Sequence, residues 1–302
     1  MTPPSSRWVC AGANVIGRSH ELKDGRCEDR WFKCRRHSGG MHGVVVAACV
    51  SDGAGSVSFG YIGASVVSST LAKWLVRNFP WAVSASTDEI KWKLMPHLLS
   101  KLCRIASSKQ TTLRNFASTI VAVAVAEDGS GIALHLGDGG IIGRFGTELR
   151  QVSVPMKGEF ANETFFVSDR DAADRMRILR WGPGEACDNE ADFELANGFL
   201  LFSDGLETSL LHRTTQEIAP AASTMLTWLD NYPELDVEAA VQSNLSDVFR
   251  LRTMDDCTLV LISNVFGSMI SLPDEHPTQL PQATAADEWI GEEPPADLSW
   301  FL

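Results

Sequence analysis

Helical periodicity comes in pairs along this chain, and that ordering narrows its fold more than any other feature. Trp, Leu, Ile and Val recur at three- and four-residue spacing over residues 61–78 and again over 88–108; a second pair covers 215–229 and 237–251. Short apolar, β-branched runs surround them, at 9–16, 31–36, 44–50, 119–126, 132–136, 141–145, 164–167, 193–195, 199–202 and 258–262. A parallel sheet alternates strand and crossover helix, whereas here a block of strands is followed by two helices, twice. The pattern therefore predicts an α+β fold built on antiparallel strands, a two-sheet β-sandwich flanked by paired α-helices. Trp74, Trp81 and Trp92 lie on the first helix pair at spacings suited to core packing.

The chain has 302 residues, 44% of them apolar, enough to bury a sizeable core. Its 26 Lys and Arg against 38 Asp and Glu give a net charge of −12. That field repels phosphate backbones and anionic lipid, so neither nucleic acid nor a membrane is an expected partner. The 7 cysteines are odd in number, scattered and never spaced as CxxC, which predicts reduced thiols rather than disulfides or a zinc site. No basic, apolar leader opens the chain, and the longest apolar run, 44–50, is too short to span a bilayer. A cytoplasmic protein is expected. Residues 162–189, rich in charge and containing Trp181-Gly182-Pro183-Gly184, are expected to form a surface insertion. From 268 onward the composition turns acidic and Pro-rich, ending in Trp300-Phe301-Leu302. The expected organisation is a domain over 1–267 and a disordered tail over 268–302 whose last residues could anchor in a partner.

Acidic residues recur where apolar runs start or stop: Glu28-Asp29, Asp52-Gly53, Gly137-Asp138-Gly139, Asp204-Gly205 and Asp255-Asp256. If 31–36 and 44–50 form a hairpin, Glu28-Asp29 meets Asp52 at one edge. If 119–126 and 131–136 form another, Asp138 joins that edge and the Glu127-Asp128-Gly129-Ser130 turn goes to the opposite one. Asp204 ends one strand and Asp256 begins another, so they meet if those strands are antiparallel neighbours. Carboxylates so gathered repel unless cations neutralise them, and all-oxygen ligation suits Mg²⁺ or Mn²⁺. Two such ions generate a nucleophilic hydroxide and clamp the oxygens of an in-line displacement at phosphorus. No Ser or Cys sits in a nucleophile elbow, and the stretch 137–143 lacks the Lys-Ser/Thr of a P-loop.

Taken in order, Gly17, His20, Gly25, Cys27-Glu28-Asp29, Val50-Ser51-Asp52-Gly53-Ala54-Gly55-Ser56, Ser118-Thr119, Gly137-Asp138-Gly139, Leu201-Phe202-Ser203-Asp204-Gly205-Leu206 and Asp255-Asp256-Cys257-Thr258-Leu259 resemble the bacterial branch of the metal-dependent type 2C protein Ser/Thr phosphatases. The resemblance runs from about residue 8 to 264. It implies a four-layer α/β/β/α sandwich with two Mg²⁺ or Mn²⁺ ions at one edge, or three. It also implies roles: Asp52 bridging the metals, the Gly53 carbonyl on one of them, Asp204 and Asp256 on the other. Asp29 and Glu28 would act through metal-bound water, Asp138 would help hold the third ion, and 155–190 would be a variable flap. The implied reaction is attack of a metal-bridging hydroxide on phosphoserine or phosphothreonine of a protein, opposing a Ser/Thr kinase.

Two positions depart from the family pattern. The Arg that many members carry four residues before Glu28 is Asp24 here, leaving Arg26 or Arg18 to bind the phosphate. The His proposed as acid in many members is Ala54, leaving His20 as the stand-in proton donor or as a structural histidine near a turn. The missing Arg keeps open a pseudophosphatase that retains the fold as a binding module, and because nothing in the sequence shows a protein-sized docking groove, a small-molecule phosphomonoesterase is the third reading.

Overall fold

The computed structural model describes residues 6–23, 25–156, 164–182 and 196–266. Along them run β1 (Ser6–Val15), α1 (Arg18–Glu21), β2 (Arg30–His37), β3 (Val44–Ser51), α2 (Gly60–Ala82), α3 (Thr87–Ser108), β4 (Ile120–Ala126), β5 (Gly131–Leu136), β6 (Gly140–Phe145), β7 (Glu148–Ser153), α4 (Ala172–Arg175), β8 (Arg177–Trp181), β9 (Ala196–Phe202), α5 (Glu207–Leu210), α6 (Pro220–Asn231), α7 (Glu234–Asn244) and β10 (Cys257–Phe266). The strands form two five-stranded sheets, ordered β1-β10-β9-β6-β7 and β2-β3-β4-β5-β8, with every pairing antiparallel.

Strand alternation builds three apolar layers. In β4, Val121, Val123 and Val125 pack between the sheets, while Ile120, Ala122, Ala124 and Ala126 pack toward α2 and α3. In β10, Val260 and Ile262 face the other sheet, and Leu259 and Leu261 face α6 and α7. The order is helix pair, sheet, sheet, helix pair, as the sequence predicts. α3 starts on a capping box: the Ser86 hydroxyl accepts the Glu89 N–H, and Glu89 Oε2 accepts the Ser86 N–H at 2.8 Å.

Several expectations need correction. Residues 164–167 form no strand; Thr164 makes a single bridge and the Val167 N–H donates to the Ser118 carbonyl at 2.9 Å. β7 was not expected, because as an edge strand it alternates exposed polar residues with half-buried ones. β8 lies inside the stretch read as a surface insertion, yet it pairs with β5 and buries Trp181 against the sheet. Trp92 is 81% exposed, whereas Trp74 is in the core. The helix expected over 237–251 ends at Asn244 and continues as a wide turn, Leu245–Phe249, and a tight one, Arg250–Arg252. The run 193–195, residues 157–163 and 183–190 of the 155–190 stretch, Asp24, Cys187 and the tail 268–302 lie outside the described residues. The described cysteines are free thiols. Among the described residues no helix is long and apolar enough to cross a membrane.

Register decides which side chains share an edge. Arg30 pairs with Ser51, so one further step sets Asp29 against Asp52. Gly140 pairs with Phe202, so two further steps set Asp138 against Asp204. Leu259 also pairs with Phe202, which brings the start of β10 beside Asp204. The β4–β5 turn, with Glu127 and Asp128, lies at the opposite edge.

Candidate active site

Asp52 is presented by the loop that leaves β3. The Ser51 hydroxyl donates to the Thr119 carbonyl at 2.6 Å, the Asp52 N–H donates to Thr119 Oγ1 at 2.9 Å, and the Thr119 N–H returns to the Asp52 carbonyl at 2.8 Å. The loop is thereby held against the entry to β4. Gly53 has to be glycine, since a Cβ there would lie 2.3 Å from the carbonyl carbon of Gly60 at the start of α2. Asp138 sits where β5 passes into β6 and the chain changes sheets. Gly137 makes that crossing at φ +115°, and a Cβ on it would lie 2.5 Å from Thr119 Cγ2.

Asp52, Asp138 and Asp204 each offer a carboxylate oxygen, and these oxygens lie within 4.8 Å of one another. Burial and the charges of Asp29, Asp204 and Asp138 push the Asp52 carboxyl well above the usual carboxylate range. Burial, then Asp138, Asp255 and Asp29, do the same to Asp204. Burial also raises Asp138, although Thr164 Oγ1 donates to its Oδ2 at 2.5 Å. Asp29 is 1% exposed, and its Oδ2 accepts the Ser203 hydroxyl at 2.6 Å and the Thr258 hydroxyl at 2.7 Å. Burial nevertheless pushes it up to about 6.

Two buried oxygens in this group, Asp29 Oδ1 and Asp138 Oδ1, have no hydrogen-bond partner among the described residues. Such orphaned acceptors carry a desolvation penalty that a cation or its water would remove. Crowded carboxylates, raised proton affinity and unpartnered oxygens together fit a hard divalent cation held by oxygen.

The terminal acidic pair divides its duties differently from the expectation. Asp256 is buried, with Oδ1 accepting the Gly17 N–H at 2.6 Å and Oδ2 accepting the Glu28 N–H at 2.5 Å. His20 Nδ1 lies 3.0 Å from the same Oδ1. Its carboxylate is spent on bracing β10 to the segment that carries Glu28-Asp29. The exposed neighbour, Asp255, is the member whose charge acts on both Asp138 and Asp204. The sequence pattern points to Asp256; in the structure that carboxylate accepts the amide of Gly17, 239 residues away.

Glu28 points its Oε2 at the Tyr61 N–H, 2.6 Å away, in the first turn of α2. Burial raises its carboxyl, opposed by Tyr61, His20 and Arg26. His20 turns Nε2 toward Gly55, where a Cβ would lie 3.3 Å from it. Burial pulls its pKa down, but Asp256, Asp255 and Glu28 outweigh that and leave it above the ordinary value. Of the phosphate-binding candidates, Arg18 has its Nε committed to the Thr253 carbonyl at 3.0 Å. Arg26 lies over the Tyr61 ring, its Cζ 4.3 Å from the centroid. Thr164 and Tyr61 were not singled out from sequence, and Ser203 was read only as part of its motif; each reaches the edge through a contact that no local pattern encodes.

A family model described as protein phosphatase 2C matches residues 16–250. Serine/threonine-protein phosphatase 3 of Escherichia coli is 28% identical over 174 residues, which are 57% of this chain and 67% of that protein. The solved serine/threonine phosphatase of S. agalactiae superposes with a TM-score of 0.54 at 16% identity, covering 85% of this chain and 99% of that one. The catalytic domain of serine threonine protein phosphatase PstP, solved with 2 manganese ions, gives a TM-score of 0.52 at 17% identity, covering 86% and 99%. At these identities the two solved structures speak for the fold.

Proposed function

The chain belongs to the protein phosphatase 2C family, and from that membership we propose that its acidic edge hydrolyses phosphoserine and phosphothreonine of protein substrates with Mg²⁺ or Mn²⁺ bound. The observation that carries the reading is the convergence of Asp52, Asp138 and Asp204, with unpartnered buried oxygens on Asp29 and Asp138. Asp52, the Gly53 carbonyl and Asp204 would hold the ions, joined by Asp255 rather than Asp256, with Asp138 at a third position. The bound ions would supply positive charge at the phosphoryl oxygens and a water acidic enough to be a nucleophile near neutral pH.

The chain's own groups would do the rest. Asp29 Oδ1 and Glu28 would orient that water. Hydrolysis forms one P–O bond to the water oxygen and breaks the P–O bond to the Ser or Thr oxygen, releasing inorganic phosphate. His20 Nε2, held through Nδ1 by Asp256, is the group we assign to protonate the leaving alkoxide, the role that Ala54 cannot fill. The free thiols support a cytoplasmic location. An opposing Ser/Thr kinase, and a partner for the tail 268–302, complete the proposal.

The test is turnover of p-nitrophenyl phosphate and of a phosphothreonine peptide in Mn²⁺, Mg²⁺ or EDTA, for wild type and Asp52→Asn. Turnover that needs the cation and is lost in Asp52→Asn is expected. Absence of metal-dependent turnover in every condition would overturn the reading.

A further inference from the structure

A phosphate dianion approaching this edge meets Glu28, Asp52, Asp138, Asp204 and Asp255, and a basic side chain of the chain would add to the positive charge that bound ions supply. The nearby basic side chains are mostly committed. Arg18 reaches the Thr253 carbonyl, Arg30 donates to the Cys27 and Asp29 carbonyls, and Arg250 pairs with Glu21. Arg26 is exposed, and among the described residues its guanidinium makes no hydrogen bond or ion pair; it lies over the face of Tyr61.

We propose that Tyr61 is a positioning residue that holds Arg26 over the acidic edge as the group that binds the substrate phosphoryl oxygens. A guanidinium held over the face of an aromatic ring can still turn N–H groups outward, and these match phosphate oxygens pairwise. The stack also restricts a side chain that would otherwise sample many rotamers. Its placement is tied to the site by a closed circuit: the Tyr61 N–H holds the Glu28 carboxylate at 2.6 Å, Glu28 follows Arg26 by two residues, and the Tyr61 ring carries Arg26. Arg26 lies close enough to lower the Glu28 carboxyl. The arrangement answers the Asp24 departure, supplying an arginine from two residues further along with an aromatic platform to aim it.

This inference rests on the phosphatase reading and is tested so that the two fail separately. Two measurements are made on the Mn²⁺-loaded protein: calorimetric binding of inorganic phosphate, and steady-state kinetics on a phosphothreonine peptide. Arg26→Ala is expected to weaken phosphate binding and raise KM about tenfold with kcat changed less than about threefold, the size of losing one charge-assisted contact at an exposed site. Tyr61→Leu should move both in the same direction by about threefold to fivefold, and Tyr61→Phe, which keeps the ring, should recover them to within about twofold. Equal phosphate affinity in wild type and Arg26→Ala overturns the inference whether or not the enzyme turns over. So does a Tyr61→Phe protein as impaired as Tyr61→Leu. Absent turnover with Arg26-dependent phosphate binding would overturn the phosphatase reading and leave the arginine assignment supported.

Discussion

Replacing Asp29 by Asn should stabilise the metal-free protein while slowing its chemistry. A rise in the Asp29 carboxyl from an ordinary 3.8 to about 6 corresponds to about 3 kcal/mol. The direction follows from proton linkage. The folded state binds the Asp29 proton more tightly than the unfolded chain, so between pH 3.8 and about 6 it carries more protons and stability falls as pH rises. Above that window the full penalty applies; below it there is none. Asp52, Asp138 and Asp204 are raised as well and steepen the same slope. Asn keeps an oxygen for the Ser203 and Thr258 hydroxyls but removes the buried charge. In EDTA, wild-type Tm should therefore fall from pH 5 to pH 7.5. At pH 7.5 Asp29→Asn should melt higher by about 6–12 °C, taking about 2–4 °C per kcal/mol for a domain of this size. The gap should narrow toward pH 5. Scanning calorimetry reads both curves. A wild-type Tm in EDTA that is flat or rises over this range, with Asp29→Asn superimposable on it, refutes the reasoning.

The acidic pair at the start of β10 gives a paired prediction. Asp255→Asn should weaken Mn²⁺ binding with urea stability held, whereas Asp256→Asn should cost about 1–3 kcal/mol, since the Gly17 and Glu28 N–H groups address different oxygens and the amide NH₂ would replace one of those acceptors; the opposite assignment of effects in calorimetry and urea melts refutes it. Gly137→Ala should lose at least about 1 kcal/mol of stability, because alanine at φ +115° is strained and its methyl meets Thr119; an unchanged urea midpoint would contradict that. His20→Ala should slow phosphothreonine hydrolysis about 10²-fold or more and p-nitrophenyl phosphate much less, since an aryl oxide leaves without a proton; equal losses on both substrates count against the assignment. Trp92→Ser should shift stability by less than about 0.5 kcal/mol, while Trp74→Ala should cost about 3–5 kcal/mol, as thermal melts will show.

Much of the fold was legible because its signals are local. Pairs of 3.6-residue periodicity located α2, α3, α6 and α7 to within a turn at most ends, and apolar runs located β1 to β6, β9 and β10. β7 and β8 escaped because charged and polar residues interrupt their few apolar ones, whereas the other two edge strands, β1 and β2, were legible. Trp92 was misplaced because its spacing does not say which face of α3 meets the sheet.

At the active edge, Asp52, Asp138, Asp204 and Glu28-Asp29 could be read from sequence, since a residue just beyond a buried strand lies at a sheet edge whatever the rest of the chain does. What the tertiary structure alone decided is the use of each carboxylate. Asp256 is captured by the Gly17 amide, Asp29 by Ser203 and Thr258, and Glu28 by Tyr61, across separations of 239, 174, 229 and 33 residues. The Asp29 bonds depend on how the two sheets stack, the Asp256 bond on the pairing of β1 with β10, and the Glu28 bond on where α2 starts, and no local pattern encodes any of these. Chain order sets where acid can gather; packing sets which oxygens are left without a protein donor, and those are the ones available to a cation.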